Sequence, residues 1–91
     1  MNRLALLAVV LAVTGCGATR AARGRHVFDT RCTSCHTLTG HDTTVEGGDL
    51  GTGCMTVAQV ASFARVMPVR LTRRQTNDVA IYVARHMHCM R

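Results

Sequence analysis

Apolar and polar positions alternate most clearly in the second half of the chain. Apolar side chains recur with the i, i+3, i+4, i+7 spacing of one helix face, at Val57, Val60, Ala61 and Ala64. Thr56 directly precedes them and has the hydroxyl group of an N-cap residue. Because the residue before a proline is disfavoured in the helical region, this predicted helix ends before Met67-Pro68.

A second helix is predicted to begin shortly after the proline. Thr72 and Gln75 have the spacing of a capping box, in which each side chain accepts a bond from a free backbone N–H group. Arg73 and Arg74 fall in the first turn, where positive charge opposes the helix dipole, and we interpret them as solvated charges. The helix continues through Val79, Tyr82, Val83, His86 and Met90.

The first half of the chain contains one further predicted helix and a long loop. The helix runs from Gly24 to about Arg31, with Val27 and Phe28 on one side. Residues 37–54 are rich in Gly, Thr and Asp, which is typical of an ordered loop. No segment shows the period-two alternation of a strand. The pattern therefore predicts an all-α domain of three to four helices.

The N-terminus has the features of an export signal. Arg3 is followed by ten apolar residues from Leu4 to Val13, which is short for a membrane span and typical of a signal peptide. Val13-Thr14-Gly15-Cys16 resembles the lipobox of bacterial lipoproteins, in which the cysteine becomes the first residue and carries a diacylglyceryl group. We therefore predict a signal peptide over residues 1–15 and a tether over residues 16–23. An uncleaved anchor, or cleavage near Ala18, is the alternative.

Size and charge narrow the possible partners. Without residues 1–15 the chain has 76 residues, and a core this small usually needs a cofactor or a cross-link. The remaining ten arginines exceed the five acidic residues, which leaves a net charge of +5. Such a surface suits an acidic protein partner or an anionic membrane. Nucleic acid is a weaker interpretation, because few aromatic side chains are present for bases to stack on.

The strongest chemical signal is the motif Cys32-Thr33-Ser34-Cys35-His36. C-x-x-C-H is the attachment sequence of c-type haem. Two thiols separated by two residues can reach both vinyl groups from one helical turn, and the adjacent histidine can then bind the iron. The motif predicts one covalently attached haem c.

Three other occupants of this motif fit the sequence less well. A redox dithiol is expected beside a β-α-β pattern, which this helical sequence lacks. A plain disulfide leaves His36 without a role. A zinc site needs two more ligands and usually takes them from a second close pair, whereas Cys54 has no near partner. The candidates for those two ligands are Cys54, Cys89, His86 and His88.

The chain resembles a class I cytochrome c of the small bacterial monohaem type. The matching segments span Gly24 to about Met87, so the predicted domain is 24–91. They are Gly24-x-x-x-Phe28, "CTSCH", "GGDL", Met67-Pro68 and the last helix "LTRRQTNDVAIYVA". The resemblance implies a small cytochrome c fold, with helices wrapped around one covalently bound haem.

The resemblance also implies a role for each matching residue. Cys32 and Cys35 would form the thioethers, His36 would be the proximal iron ligand and Met67 the distal ligand. Met67 lies 31 residues after His36, whereas the rival Met55 lies 19 residues after it, a short span for rounding the haem.

Two glycines have implied roles as well. Gly24 would allow the first helix to cross the last helix closely near Tyr82. Family members usually carry proline where this chain has Gly48, and the carbonyl there would accept a bond from His36 Nδ1–H. We expect glycine to make this turn looser.

Several remaining side chains have open roles. Cys54 and Cys89 either pair, closing a loop whose cross-link is worth roughly 4 kcal/mol in the chain-entropy model, or remain free thiols. Arg70, Arg73 and Arg74 could pair with haem propionates, dock a partner or be solvated. We expect Met87 and Met90 to pack or lie at the surface, and Phe63 to pack near the porphyrin. The other histidines are expected to be solvated, at His26, His41, His86 and His88.

These features predict an electron-transfer protein rather than an enzyme. The expected function is one-electron transfer between redox proteins with acidic docking surfaces, at the periplasmic or other extracytoplasmic face of a membrane. The alternative is a haem-bearing relay subunit of an exported dehydrogenase or terminal oxidase complex. A third possibility is a gas-binding or peroxidatic haem with a labile distal side.

Overall fold

The first helix, α1, spans Arg20–Arg31 in the computed structural model, which describes residues 19–41 and 45–89. The Thr19 hydroxyl caps it by accepting a bond from the Ala22 N–H at 3.0 Å. The helix thus begins four residues before the predicted Gly24, and residues 20–23, which were assigned to the tether, are helical. The predicted signal peptide and Cys16 lie outside the described residues.

The second and third helices begin at the residues that the sequence predicts. Helix α2 spans Val57–Ala64 and helix α3 spans Arg73–His86. Thr56 and Gln59 form a capping box at the start of α2, as Thr72 and Gln75 do at the start of α3. Helix α2 ends before Pro68, as predicted. The prediction that α3 continues to Met90 is wrong, because the helix ends at His86 and Met87 has an extended backbone. Met90 itself lies outside the described residues.

The loop between α1 and α2 is fastened at Asp49. This buried carboxylate accepts bonds from the Gly51 N–H and from the Thr39 hydroxyl, both at 2.7 Å. It caps a short 3-10 helix, Leu50–Thr52. Residues 37 and 49 also form an isolated parallel bridge. These contacts give the described part of the loop a defined conformation, as expected of an ordered loop.

Helices α1 and α3 cross at Gly24. A Cβ atom on Gly24 would overlap the Asp78 carbonyl oxygen and lie 2.8 Å from Tyr82 Cβ, so only glycine allows this approach. The ring centroids of Phe28 and Tyr82 are 5.9 Å apart beside the crossing. The close contact between Gly24 and the last helix is therefore confirmed.

A small apolar core lies between the three helices. Its buried members are Val27, Phe28, Val60, Ala61, Val79, Ala80, Val83 and Met87. Residues 19–41 and 45–89 contain three α-helices and no strand, which confirms the all-α prediction. Over the same residues, no helix is both long and apolar enough to cross a bilayer.

Candidate cofactor site

The C-x-x-C-H motif forms a tight turn at the end of α1. Cys32 is the C-cap residue, and its N–H donates to the Phe28 carbonyl at 2.9 Å. The Cys32 carbonyl then accepts bonds from the Cys35 N–H at 3.2 Å and the His36 N–H at 3.0 Å. This turn brings both thiols and the imidazole to the wall of one cavity.

Two consecutive glycines hold the His36 ring. The Gly48 carbonyl oxygen lies 3.4 Å from His36 Nδ1, at the long end of the hydrogen-bond range. A carbonyl can only accept, so this contact favours a proton on Nδ1 and leaves Nε2 as the ligating nitrogen. A Cβ atom on Gly47 would lie 2.7 Å from the same Nδ1 atom. Residue 47 must therefore be small for the ring to occupy this position.

Gly48 has a backbone conformation that proline cannot adopt. Its φ is +78°, whereas the proline ring fixes φ near about −65°. The turn at Gly48 therefore differs in backbone conformation from a proline turn, although its carbonyl faces His36 as the resemblance implies. The Thr37 N–H also donates to this carbonyl, at 3.4 Å.

An apolar cleft lies beside His36 between the three helices. Its walls come from α1, α2, α3 and the 3-10 helix, and include Phe28, Leu50, Val60, Phe63, Val79 and Val83. Phe63 is 55% exposed although it lines the cleft, and Val66 nearby is 76% exposed. An apolar ligand seated here would cover hydrophobic side chains that the small core leaves in water.

All four residues predicted to hold the haem line one cavity. Cys32, Cys35, His36 and Met67 face it, together with Pro68. Three of them, Cys32, His36 and Met67, also line the apolar cleft, so the two cavities adjoin at these residues. A turn that bonds the Met67 N–H to the Ala64 carbonyl at 3.3 Å places Met67 just beyond α2.

Two further methionines line the apolar cleft. Met55 is half-buried there, and Met87 is 8% exposed and belongs to the core. Met67 differs from both, because it alone of the three also lines the cavity that contains Cys35. Of the two alternatives for Met87, packing or a surface position, the structure shows packing, and it places the side chain beside the cleft, which the sequence does not predict.

The local environment favours the neutral thiol of Cys32. Burial raises its pKa above the ordinary value, because the thiolate loses hydration in the cleft wall. The Arg31 guanidinium opposes this rise in pKa by stabilising the negative thiolate.

The other cysteines and histidines do not assemble a zinc site. Cys54 and Cys89 form a disulfide, the first of the two alternatives that the sequence left open. No group of three or more His, Cys, Asp or Glu side chains is placed to hold a metal ion within the described ranges. The four histidines expected to be solvated are exposed, at His26, His41, His86 and His88.

The residues present fit a covalently attached haem. Two free thiols and a histidine occupy one turn, an apolar cleft adjoins them, and a thioether faces the same cavity. Comparisons with protein-family models, curated proteins and solved structures found no match.

Proposed function

We propose that this chain is a one-electron carrier with a single covalent c-type haem, held at an extracytoplasmic membrane surface. The observation that carries the proposal is the cavity that Cys32, Cys35, His36 and Met67 line together. In this proposal Cys32 and Cys35 would bond the cofactor, and His36 and Met67 would be the ligands of its iron. The bound haem supplies reversible one-electron chemistry at its iron.

The chain's own residues give this site the properties of a carrier. The Gly48 carbonyl orients the imidazole, which keeps Nε2 available for the iron. Apolar walls, including Phe28 and Val83, exclude water from the cleft. They thereby limit the change in solvation when the charge of a bound haem changes. A thioether ligand from Met67 favours electron transfer over catalysis, because it fills the position that a substrate or gas would need.

The exposed apolar side chains at the cleft mouth support docking to other redox proteins. Phe63 lies in the last turn of α2 and is 55% exposed, and Val66 and Met67, just beyond the helix, are 76% and 40% exposed. Together with the positive net charge of the chain, this apolar surface suits a partner whose docking surface is apolar and acidic.

The optical spectrum of the haem-loaded protein tests the proposal. We expect a low-spin ferric spectrum with the methionine–iron charge-transfer band. That band should disappear in Met67→Ala and persist in Met55→Ala, a matched control because Met55 lines the cleft but not the cavity containing Cys35. A high-spin ferric wild-type protein that binds carbon monoxide readily after reduction would contradict the carrier, and absence of covalent haem would contradict haem binding altogether.

A further inference from the structure

Arginines from two helices converge on a second part of the surface. Arg20 and Arg23 come from the first turn of α1, and Arg73 and Arg74 come from the first turn of α3. All four line one open cavity, together with Asn77 and Asp78. We call Arg20, Arg73 and Arg74, which are exposed, the arginine patch.

The arginine patch has a strong excess of positive charge. Arg23 Nε lies 3.0 Å from Oδ2 of the buried Asp78, so the one acidic residue of this cavity is engaged within the protein. Four arginines against one aspartate leave a local charge of +3. Neither α1 nor α3 has an acidic residue in its first turn, so the positive ends of two helix dipoles add to this field.

The patch lies close in sequence to the proposed lipid anchor. Cys16 precedes Arg20 by four residues, and four residues can span at most about 14 Å. A lipid on Cys16 would therefore hold the start of α1 within that distance of a membrane surface. Because the arginine patch would lie this close to the lipid, we expect it to bind an anionic membrane rather than an acidic protein.

The cofactor site lies at the C-terminal end of α1, whereas the arginine patch lies at its N-terminal end. Cys32 caps the C-terminus of α1, and the helix has 12 residues, which corresponds to a length of roughly 18 Å. With the start of α1 at the membrane, the turn of Cys35 and His36 would lie at the far end of this helix, at most about one helix length from the start of α1. The cavity there would remain accessible to a protein partner.

We propose that Arg20, Arg73 and Arg74 dock on anionic phospholipid headgroups of the membrane that carries the anchor. This docking rests on the lipid anchor of the proposed function and adds an orientation to it. Arginine binds phosphate oxygens through paired N–H donors, and each basic residue near an anionic surface strengthens binding about fivefold. The ligand is the anionic face of the lipid bilayer. Docking there would fix the orientation of α1 relative to the membrane.

Amide hydrogen exchange on the full lipidated, haem-loaded protein tests this docking. The protein is reconstituted in vesicles of phosphatidylcholine alone, or with one third phosphatidylglycerol. We expect exchange in residues 19–26 and 70–78 to be several-fold slower in the anionic vesicles only, and 0.5 M salt should remove the difference because it screens the charges. Peptides from α2 should exchange equally in both vesicles.

Two double variants identify the residues responsible. Arg73→Gln/Arg74→Gln should abolish the extra protection. Arg65→Gln/Arg85→Gln should retain it, since this control removes the same charge from two exposed arginines outside the cavity lining. Equal exchange in both vesicles would overturn the proposal, as would loss of protection in the control variant.

Two further additions separate the membrane from other anions. Inorganic phosphate with neutral vesicles should leave exchange unchanged, and so should polyglutamate. Slower exchange with phosphate would indicate that the patch binds a soluble anion. Slower exchange with polyglutamate, without an effect of phosphatidylglycerol, would indicate that it binds an acidic protein. Either result would overturn the membrane assignment.

Failure of the anchor can be distinguished from failure of the docking. Intact mass reports the acyl group on Cys16, and the absorption spectrum reports the haem. If the chain is not acylated, the anchor of the proposed function is wrong, and co-sedimentation of the same protein with the two vesicle types then tests the patch alone. We expect binding to anionic vesicles that Arg73→Gln/Arg74→Gln weakens at least tenfold; no preference for anionic vesicles would refute the docking.

Discussion

The carbonyl oxygen of Gly48 lies 3.4 Å from Nδ1 of His36, while the preceding glycine packs against the same imidazole ring. The two glycines hold the ring for different reasons. Gly47 leaves the space that the ring fills, and Gly48 adopts the positive φ that turns its carbonyl toward the ring. Substitutions at the two positions should therefore have different effects.

Gly47→Ala should displace the imidazole. The new Cβ atom would lie 2.5 Å from the Cys35 carbonyl oxygen and 2.7 Å from His36 Nδ1, and the backbone atom cannot move cheaply. We expect a loss of unfolding free energy of about 1–3 kcal/mol, as for other overpacked sites. We also expect a changed iron–histidine stretching frequency in the ferrous protein, measured by resonance Raman spectroscopy after Met67→Ala has removed the proposed sixth ligand.

Gly48→Ala is the matched control for this prediction. Its Cβ atom would meet no atom within 4 Å, so the substitution adds no steric contact with the imidazole. It places a Cβ atom at a φ of +78°, which we expect to cost about 1–2 kcal/mol. A shift of the iron–histidine frequency in Gly48→Ala as large as that in Gly47→Ala would contradict the separate roles of the two glycines.

Gly24→Ala should separate the two helices that form most of the fold. The added Cβ atom would overlap the Asp78 carbonyl oxygen and crowd Tyr82 Cβ at 2.8 Å. We expect unfolding in guanidinium to show a loss of about 1–3 kcal/mol, even though alanine has the higher helix propensity. Arg25→Ala, at an exposed position of the same helix, should change stability by less than about 0.5 kcal/mol. Equal stability of Gly24→Ala and the wild type would show that the crossing tolerates a wider spacing.

The helices could be predicted where a local signal marks their ends. Thr56 and Thr72 each combine a hydroxyl with a glutamine three residues later, and both start a helix as predicted. Helix α1 begins four residues before the predicted Gly24, because its first turn shows no apolar period that would mark it in the sequence. Thr19 was the missed signal, since its hydroxyl has the N-cap position before Arg20.

The candidate site could be predicted only as far as its residues are adjacent in sequence. The motif from Cys32 to His36 is local, and one turn assembles it. The approach of three methionines to one cleft depends on tertiary packing, which no spacing in the sequence reports. Met87 reaches the cleft because the segment after α3 is held against the 3-10 helix, where the His88 N–H donates to the Gly51 carbonyl at 2.7 Å. The arginine patch likewise depends on the crossing at Gly24.

The reactivity of Cys32 in the haem-free chain should depend on Arg31. Burial raises the thiol pKa and the Arg31 charge lowers it, so Arg31→Ala should raise the pKa further above its ordinary value. A higher pKa reduces the thiolate fraction at any pH below it, and alkylation at pH 8 should therefore slow. The pH profile of iodoacetamide labelling at Cys32, followed by mass spectrometry, measures this shift to higher pH.

Arg31→Lys separates charge from the other contacts of Arg31. The Arg31 guanidinium also donates to the Arg70 carbonyl at 2.9 Å, so its removal disturbs one hydrogen bond as well. If charge controls the thiol, the lysine variant should keep a labelling profile close to that of the wild type. A lysine variant that behaves like Arg31→Ala would indicate that the hydrogen bond, rather than the charge, sets the reactivity.

The disulfide between Cys54 and Cys89 should stabilise the wall of the cofactor cleft that contains Met87. It ties the segment after α3 to the residues before α2, with the two Cα atoms 4.9 Å apart across a sequence separation of 35. Met87 lies in this segment and packs near Gly53, where a Cβ atom would be 3.2 Å from its terminal methyl group. Cys54→Ser/Cys89→Ser should therefore lower the unfolding free energy of the haem-loaded protein, by roughly 2–4 kcal/mol, the typical contribution of a disulfide.

Guanidinium unfolding of the haem-loaded protein, with and without reductant, checks the role of the disulfide. Reductant should lower the midpoint of the wild type to that of Cys54→Ser/Cys89→Ser and leave the variant unchanged. Ascorbate, which does not cleave disulfides, keeps the iron ferrous in every sample. In the proposed holoprotein Cys32 and Cys35 form thioethers, which the thiol reductant does not cleave, so the disulfide is the one bond affected. An unchanged midpoint in the double variant would show that the packing of Met87 and the bond between His88 and Gly51 hold this segment without the disulfide.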